Sequence, residues 1–179
     1  MVATRPLTIA EFEAEAPEGL WELIDGEPIA VTPSSGLSSL IASRMGYHLN
    51  RYVDSHPIGH VFSADGGFIL FGDRATVRSP DASFVRVERL PEVPAAFVPL
   101  APDLAVEVLS PSHHLPDALA KATMYLQAGV SLVWLIDPMK RTATIFRQDE
   151  VPITIGEDGV LDGEEVQPGF ALPLATLLA

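Results

Sequence analysis

Apolar residues recur along this chain with two periods, and the changes of period mark out the elements. Thr8 with Glu11 three residues later has the pattern of a capping box, so a short helix is predicted over 9–16, closed by Pro17. Residues 21–24 and 28–31 flank Asp25-Gly26, a pair that favours a tight hairpin turn. From Leu37, the series Leu40, Ile41, Met45, Leu49 and Val53 keeps helical spacing. That helix should run to about Asp54 and carry Arg44 and Arg51 on a common side. Residues 60–62 and 68–71 read as strands around Asp65-Gly66-Gly67, and 82–87 as another. The proline- and alanine-rich stretch 91–102 reads as a loop.

Residues 104–109 form a continuous apolar run interrupted only by Glu107, the pattern of a strand covered on both faces. Pro116-Asp117 opens a helix to about Ala128, with Gly129 as its cap. Residues 132–136 read as the next buried strand, and 142–147 alternate as an outer strand that 151–155 can pair with. A short amphipathic helix is predicted over 172–178. Strand, helix, strand requires a right-handed crossover and therefore a parallel pair. The hairpins before and after it are antiparallel. The expected architecture is α/β, a mixed central β-sheet flanked by helices. No repeat or linker interrupts the pattern, so one domain is expected over residues 1–179.

Composition narrows the chemistry. The chain has no cysteine, which removes disulfides, thiolate zinc sites and a thiol nucleophile. Residues 1–7 lack the apolar core of a signal peptide, and no apolar run approaches the ~20 residues of a membrane span. A cytoplasmic protein without membrane attachment is expected. The formal charge of −13 at first argues against a nucleic-acid partner. It is concentrated at the ends, however. Residues 1–27 and 149–165 hold seven acids each and only one base, Arg5, whereas 28–148 hold ten of each sign. Four of those bases, Arg74, Arg78, Arg86 and Arg89, lie in one short stretch. The middle of the chain therefore remains open to a polyanionic ligand.

Three charges need a reason. Glu107 lies between Val106 and Val108 in a buried strand, where a carboxylate is costly unless paired or bound to metal. Asp81 follows Pro80 at the start of another strand. Lys121, one of only two lysines, lies in the helix directly after the Glu107 strand, with Asp117 a turn before and Tyr125 a turn after. Two carboxylates on strands suit a hard divalent cation such as Mg²⁺, and an ammonium beside them suits charge developing on a phosphodiester under attack. The same residues also allow a plain Glu107–Lys121 ion pair, or groups that reach solvent at the end of the sheet.

Pro80-Asp81 followed by Glu107 in an apolar strand resembles the PD-(D/E)xK nuclease signature. The fuller pattern resembles the Uma2 family of putative restriction endonucleases. It consists of 21–27 (WELIDGE), 79–85 (SPDASFV), 101–112 (APDLAVEVLSPS), 117–121 (DALAK), Tyr125, 128–130 (AGV), 134–138 (WLIDP), 168–170 (PGF) and the tail 174–178. This resemblance spans nearly the whole chain and implies a restriction-endonuclease-like fold. It implies Asp81 and Glu107 as ligands of Mg²⁺ or Mn²⁺, Lys121 as the catalytic lysine, and DNA as substrate. The lysine departs from the superfamily's common place two residues after the acid, where this chain has Leu109. An N-terminal acid often joins such sites, with Glu22 the favoured candidate and Glu27 the other. Two further departures are Ser38, where the family often has histidine, and His113-His114, where it often has arginine. Neither removes Asp81, Glu107 or Lys121, and both count against a substrate-handling role for those positions in this chain. By analogy with enzymes that cut both strands, a homodimer is expected. The alternatives are a catalytically inactive nuclease-fold module that binds nucleic acid or protein, and a metal-dependent hydrolase of a small phosphoester. His48, His56 and His60 read as structural, and the Trp21 and Trp134 rings as core.

Overall fold

The capping box forms as its spacing requires. In the computed structural model, which describes residues 5–15, 18–110 and 115–179, the Thr8 amide donates to the Glu11 carboxylate at 2.8 Å, and the Glu11 amide donates to Thr8 Oγ1 at 3.2 Å. Helix α1 follows over Ile9–Glu15. Strands β1 (Trp21–Ile24) and β2 (Glu27–Ala30) pair with Ile24 opposite Glu27, leaving a two-residue loop. Asp25 and Gly26 both take positive φ, +50° and +80°, the turn whose twist matches a hairpin. A Cβ on Gly26 would meet Pro6 Cβ at 2.5 Å, so glycine is required on two counts.

Helix α2 (Gly36–Ser55) starts at Ser35, whose side chain accepts from the Ser38 amide, and buries Ser38, Ile41, Met45 and Leu49. Strands β3 (Gly59–Ser63), β4 (Phe68–Phe71), β5 (Thr76–Arg78), β6 (Ala82–Arg86) and β7 (Leu104–Val108) come next. Helix α3 (Leu115–Gln127) then crosses back to β8 (Leu132–Asp137) and on to β9 (Thr142–Arg147), β10 (Ile153–Ile155), β11 (Val160–Asp162), β12 (Ala171–Pro173) and α4 (Leu174–Leu177).

The central sheet has six strands in the order β10-β9-β8-β7-β6-β3, with β7 and β8 parallel and all other neighbours antiparallel. This is the expected mixed sheet. Alternate residues of β7 face opposite ways. Leu104, Val106 and Val108 join Ile41, Met45 and Leu49 of α2, with α4, on one face. Ala105 faces Ala118, Ala122 and Tyr125 of α3 on the other. A second sheet, β2-β1-β5-β4, was not expected as a unit. Residues 76–78 carried no strand expectation because three residues hold too little pattern, and β5 exists through its pairing with β1 and β4. The hairpin-like pair β11–β12 was also missed, and it takes the first two residues expected for the tail helix. Trp134 is fully buried as expected. Trp21 is only half-buried, because its indole leans on the small Phe12–Leu23–Val77 cluster and donates to the Glu18 carbonyl at 3.3 Å.

The four clustered arginines do not form a free basic surface. Arg74 pairs with Asp25, Arg78 with Glu22, and Arg86 and Arg89 both with Asp103. Asp103 is buried just before β7 and also accepts the Arg86 amide at 2.9 Å, tying β6 to the entry of β7. Asp103→Ala leaves that amide without its acceptor, and the half-exposed arginines resolvate. Urea denaturation is expected to show a loss of about 2 kcal/mol. An unchanged midpoint would deny Asp103 this anchoring role.

Candidate active site

Residues 82–84 pair with 106–104 in register, and one further step of that register sets Asp81 across from Glu107. Opposed residues of an antiparallel pair project from the same face. Here it is the face that α3 covers, since Ala105 and Val85 on the same alternation pack against α3. Pro80 sits in the break between β5 and β6, where no ladder amide is needed. The Asp81 carboxylate accepts the Val108 amide at 2.7 Å, which ties it to the end of β7.

Helix α3 brings Lys121 and Tyr125, one turn apart, onto Glu107. Lys121 Nζ lies 2.8 Å from Glu107 Oε1 and 3.0 Å from Oε2. The Tyr125 hydroxyl donates to Glu107 Oε1 at 2.7 Å. The second sheet adds Glu22 from β1 and Arg78 from β5. Glu22 lies 3.5 Å from Lys121 Nζ, pairs with Arg78 Nη1 and accepts the Ser79 amide at 3.1 Å. Asp81, Glu107, Lys121 and Glu22 are therefore brought together. Glu27 is not: it lies exposed on the edge strand β2 and lines no part of this cluster.

Burial and charge act on these groups in opposite senses. Burial pushes the Glu107 carboxyl up; Lys121 opposes this and the Asp81 charge adds to it, leaving Glu107 above the ordinary carboxylate value. Burial pulls Lys121 down, but Glu107 and Glu22 outweigh it, so the ammonium holds its proton above the ordinary lysine value. Burial pushes Glu22 up, but Lys121, Arg78 and the Ser79 amide overcome this and hold it below the ordinary value. Burial, with Glu107 nearby, drives the Tyr125 phenol well up, so it remains a donor.

Two cavities adjoin the cluster. One of about 330 Å³ is lined by Glu22, Arg78, Glu107, Asp117 and Lys121, with Ile29, Val31 and Leu109 at its sides. The other, of about 270 Å³, shares Glu22, Glu107 and Lys121 and adds Ser79, Asp81, Trp21 and Phe97. Asp81 and Glu107 offer hard oxygen donors on one face, and the repulsion between them is what a divalent cation would relieve. No group of three or more histidine, aspartate or glutamate side chains with metal-holding geometry occurs among the described residues. Two carboxylates by themselves would leave most of a hard ion's coordination sphere to water or substrate oxygens.

Residue-by-residue reading of the sequence did not single out Arg78 or the Tyr125 hydroxyl for the site. The signal for Arg78 is its parity with the pocket face of β5, visible only once β5 is known. The signal for Tyr125 is its one-turn offset from Lys121. Ser38, buried in the first turn of α2, donates its hydroxyl to the Leu109 carbonyl at 2.8 Å, fastening α2 to the end of β7. His56 caps α2 and His60 meets the Leu90 carbonyl at 3.1 Å, structural roles both. His113 and His114 lie outside the described residues. Among the described residues no helix is long and apolar enough to cross a membrane.

The sequence profile of the Uma2 family, described as "Putative restriction endonuclease", matches residues 8–175. No curated protein matches the chain. Among solved structures, the fold is similar to the crystal structure of a putative nuclease belonging to DUF820 from Anabaena variabilis. That likeness has a TM-score of 0.82 and 24% identity, and it covers 97% of this chain and 98% of the other.

Proposed function

Because the chain belongs to the Uma2 family of putative restriction endonucleases, we propose that it is a DNA endonuclease whose catalytic group is Asp81, Glu107, Lys121 and Glu22. The observation that carries this reading is the Lys121 ammonium, 2.8 Å from Glu107 and lining both cavities, with Asp81 across the strand pair. Asp81 and Glu107 would hold Mg²⁺ or Mn²⁺, and such an ion supplies an acidified water and neutralises charge at a phosphate.

The chain's own groups do the rest. Tyr125 fixes the Glu107 rotamer through its hydroxyl, and the Val108 amide orients Asp81. Glu22 draws Lys121 and Arg78 towards the cavity. Lys121 places a compact positive charge where the phosphorus becomes more negative, an effect realised mainly in the transition state. Two copies about a two-fold axis would address both strands, and a cytoplasmic setting goes with DNA as substrate. A second reading, a non-catalytic binding module, is favoured by the charge of −13.

Calorimetric titration with Mg²⁺ and Mn²⁺ tests the site directly. Wild type is expected to bind, and Asp81→Ala to lose that binding together with plasmid nicking. Equal binding by both proteins would count against the site. Binding without nicking would favour the second reading.

A further inference from the structure

Two aromatic residues line the second cavity and have no part in the catalytic group, Trp21 and Phe97. Phe97 comes from the proline- and alanine-rich loop 91–102, and the fold pins it. Its neighbour Val98 bridges to Phe68: the Val98 amide donates to the Gly67 carbonyl, and the Ile69 amide to the Val98 carbonyl, both at 2.9 Å. The Phe97 amide donates to the Glu13 carboxylate at 3.0 Å. A Cβ on Gly67 would meet the Phe97 ring at 2.4 Å, so glycine there is what admits the ring. The ring stacks on Phe12, with centroids 5.8 Å apart and planes 20° apart. Phe12 is buried, whereas Phe97 and Trp21 are half-buried and pack on the Phe12–Leu23–Val77 cluster from its cavity side.

The charges of this cavity favour a neutral occupant beside the phosphate. Glu22, Asp65, Asp81 and Glu107 line it against one base, Lys121. A phosphate is therefore drawn only to Lys121 and to a cation held by the acids, and the aromatic wall is left for an uncharged group. The volume of about 270 Å³ has room for a nucleobase. Base on aromatic ring is a contact that every base can make, because each has a π-face. A base in a duplex has both faces covered by its neighbours and must leave the stack to make it.

The distribution of bases points the same way. A duplex is held by cations spread over several phosphates. Nine of the 11 lysines and arginines of this chain instead form an ion pair with one of its own carboxylate side chains. We propose that the Phe97–Trp21 wall is a stacking platform for the nucleobase next to the scissile phosphate, and that the substrate is DNA unpaired at the point of cleavage. The proposal rests on the nuclease reading and names its substrate class. It explains how so acidic a chain would hold a polyanion: one phosphate is met at Lys121, and the base beside it supplies the rest of the affinity.

Intrinsic fluorescence tests the platform in the wild-type protein. Trp134 is fully buried, so a change on binding reports Trp21. The probes are a short oligothymidylate, a strand of the same length made of abasic sites, and the duplex of the oligothymidylate with oligoadenylate, each with Ca²⁺ in place of Mg²⁺. The oligothymidylate is expected to quench Trp21 and to bind about tenfold more tightly than either of the others, the worth of one base stack. Phe97→Leu, which keeps an apolar side chain against Phe12, is expected to lose about the same factor, and Phe97→Tyr to regain it. Equal affinity for the abasic strand and the oligothymidylate overturns the proposal. So does a duplex that binds as tightly as the single strand, or a wild type that binds none of the three. Mg²⁺-dependent plasmid nicking, and its loss in Asp81→Ala, is a separate readout. A protein that nicks but does not distinguish the abasic strand loses the platform alone, and one that prefers the oligothymidylate but never nicks loses the nuclease reading.

Discussion

Lys121→Met is expected to lower the rate of DNA cleavage about a hundred- to a thousandfold, the loss that follows removal of one preorganised charge from a reacting centre. The argument rests on how firmly the ammonium is held. It lies 2.8 Å from Glu107 and 3.5 Å from Glu22, and both carboxylates keep it protonated against the cost of burial. A methionine of similar length fills the space without the charge, so packing under α3 is kept. Divalent-cation binding, measured by calorimetry, should persist, because Asp81 and Glu107 remain and Glu107 has lost its competing cation. Lys121→Arg should recover only part of the rate, since a planar fork does not replace a point charge. A Lys121→Met protein that nicks plasmid at the wild-type rate would take the lysine out of the chemistry and leave it as the partner of a buried acid.

Glu22→Gln is expected to cost about 3 kcal/mol of stability at neutral pH, or a fall of about 10 °C in melting temperature for a chain of this size. Glu22 is the carboxylate partner of Arg78 and the second partner of Lys121, with all three largely buried. Removing one charge from such a set leaves the others uncompensated in a poor solvent for ions. The effect has a pH signature. Because the folded protein holds the Glu22 carboxyl below its ordinary value, its contribution is complete above the unfolded value of about 4.3 and disappears as pH falls through the lower, folded value. The gap between wild type and Glu22→Gln in urea denaturation should therefore be full at neutral pH and close in acid. A gap that stays constant well below pH 4 would show that shape rather than charge makes Glu22 important.

Much of the site was legible because its parts are local anomalies. Glu107 stands out as an acid inside an apolar run, and Pro80-Asp81 as a proline and a carboxylate at the mouth of a strand. Lys121 stands out because it is one of only two lysines in the chain. The capping box at Thr8, the Asp25-Gly26 turn, the long α2 period and the Glu107 strand all follow from patterns a few residues wide, and each formed where its pattern lay. What could not be read was pairing between segments that neither a hairpin nor a single crossover connects. Strand β5 has three residues and no period of its own; β1 and β4 make it a strand. The choice between Glu22 and Glu27 turned on which face of a hairpin meets α3, and the turn between them hid that face.

The arginines show the same division most sharply. From the sequence, Arg74, Arg78, Arg86 and Arg89 formed the basic cluster of the chain, and Arg44 and Arg51 merely shared a helix side. Folding neutralises the cluster against Asp25 and Glu22, some fifty residues away, and against Asp103, and among the described residues leaves Arg51 without a salt bridge. Sequence alone determined the elements, the class of fold and which charges were too costly to be idle, because these depend on period, turn chemistry and desolvation within short windows. Only the tertiary structure decided which charges meet. Coulomb attraction and desolvation act through distances of a few ångströms, and folding alone sets those distances.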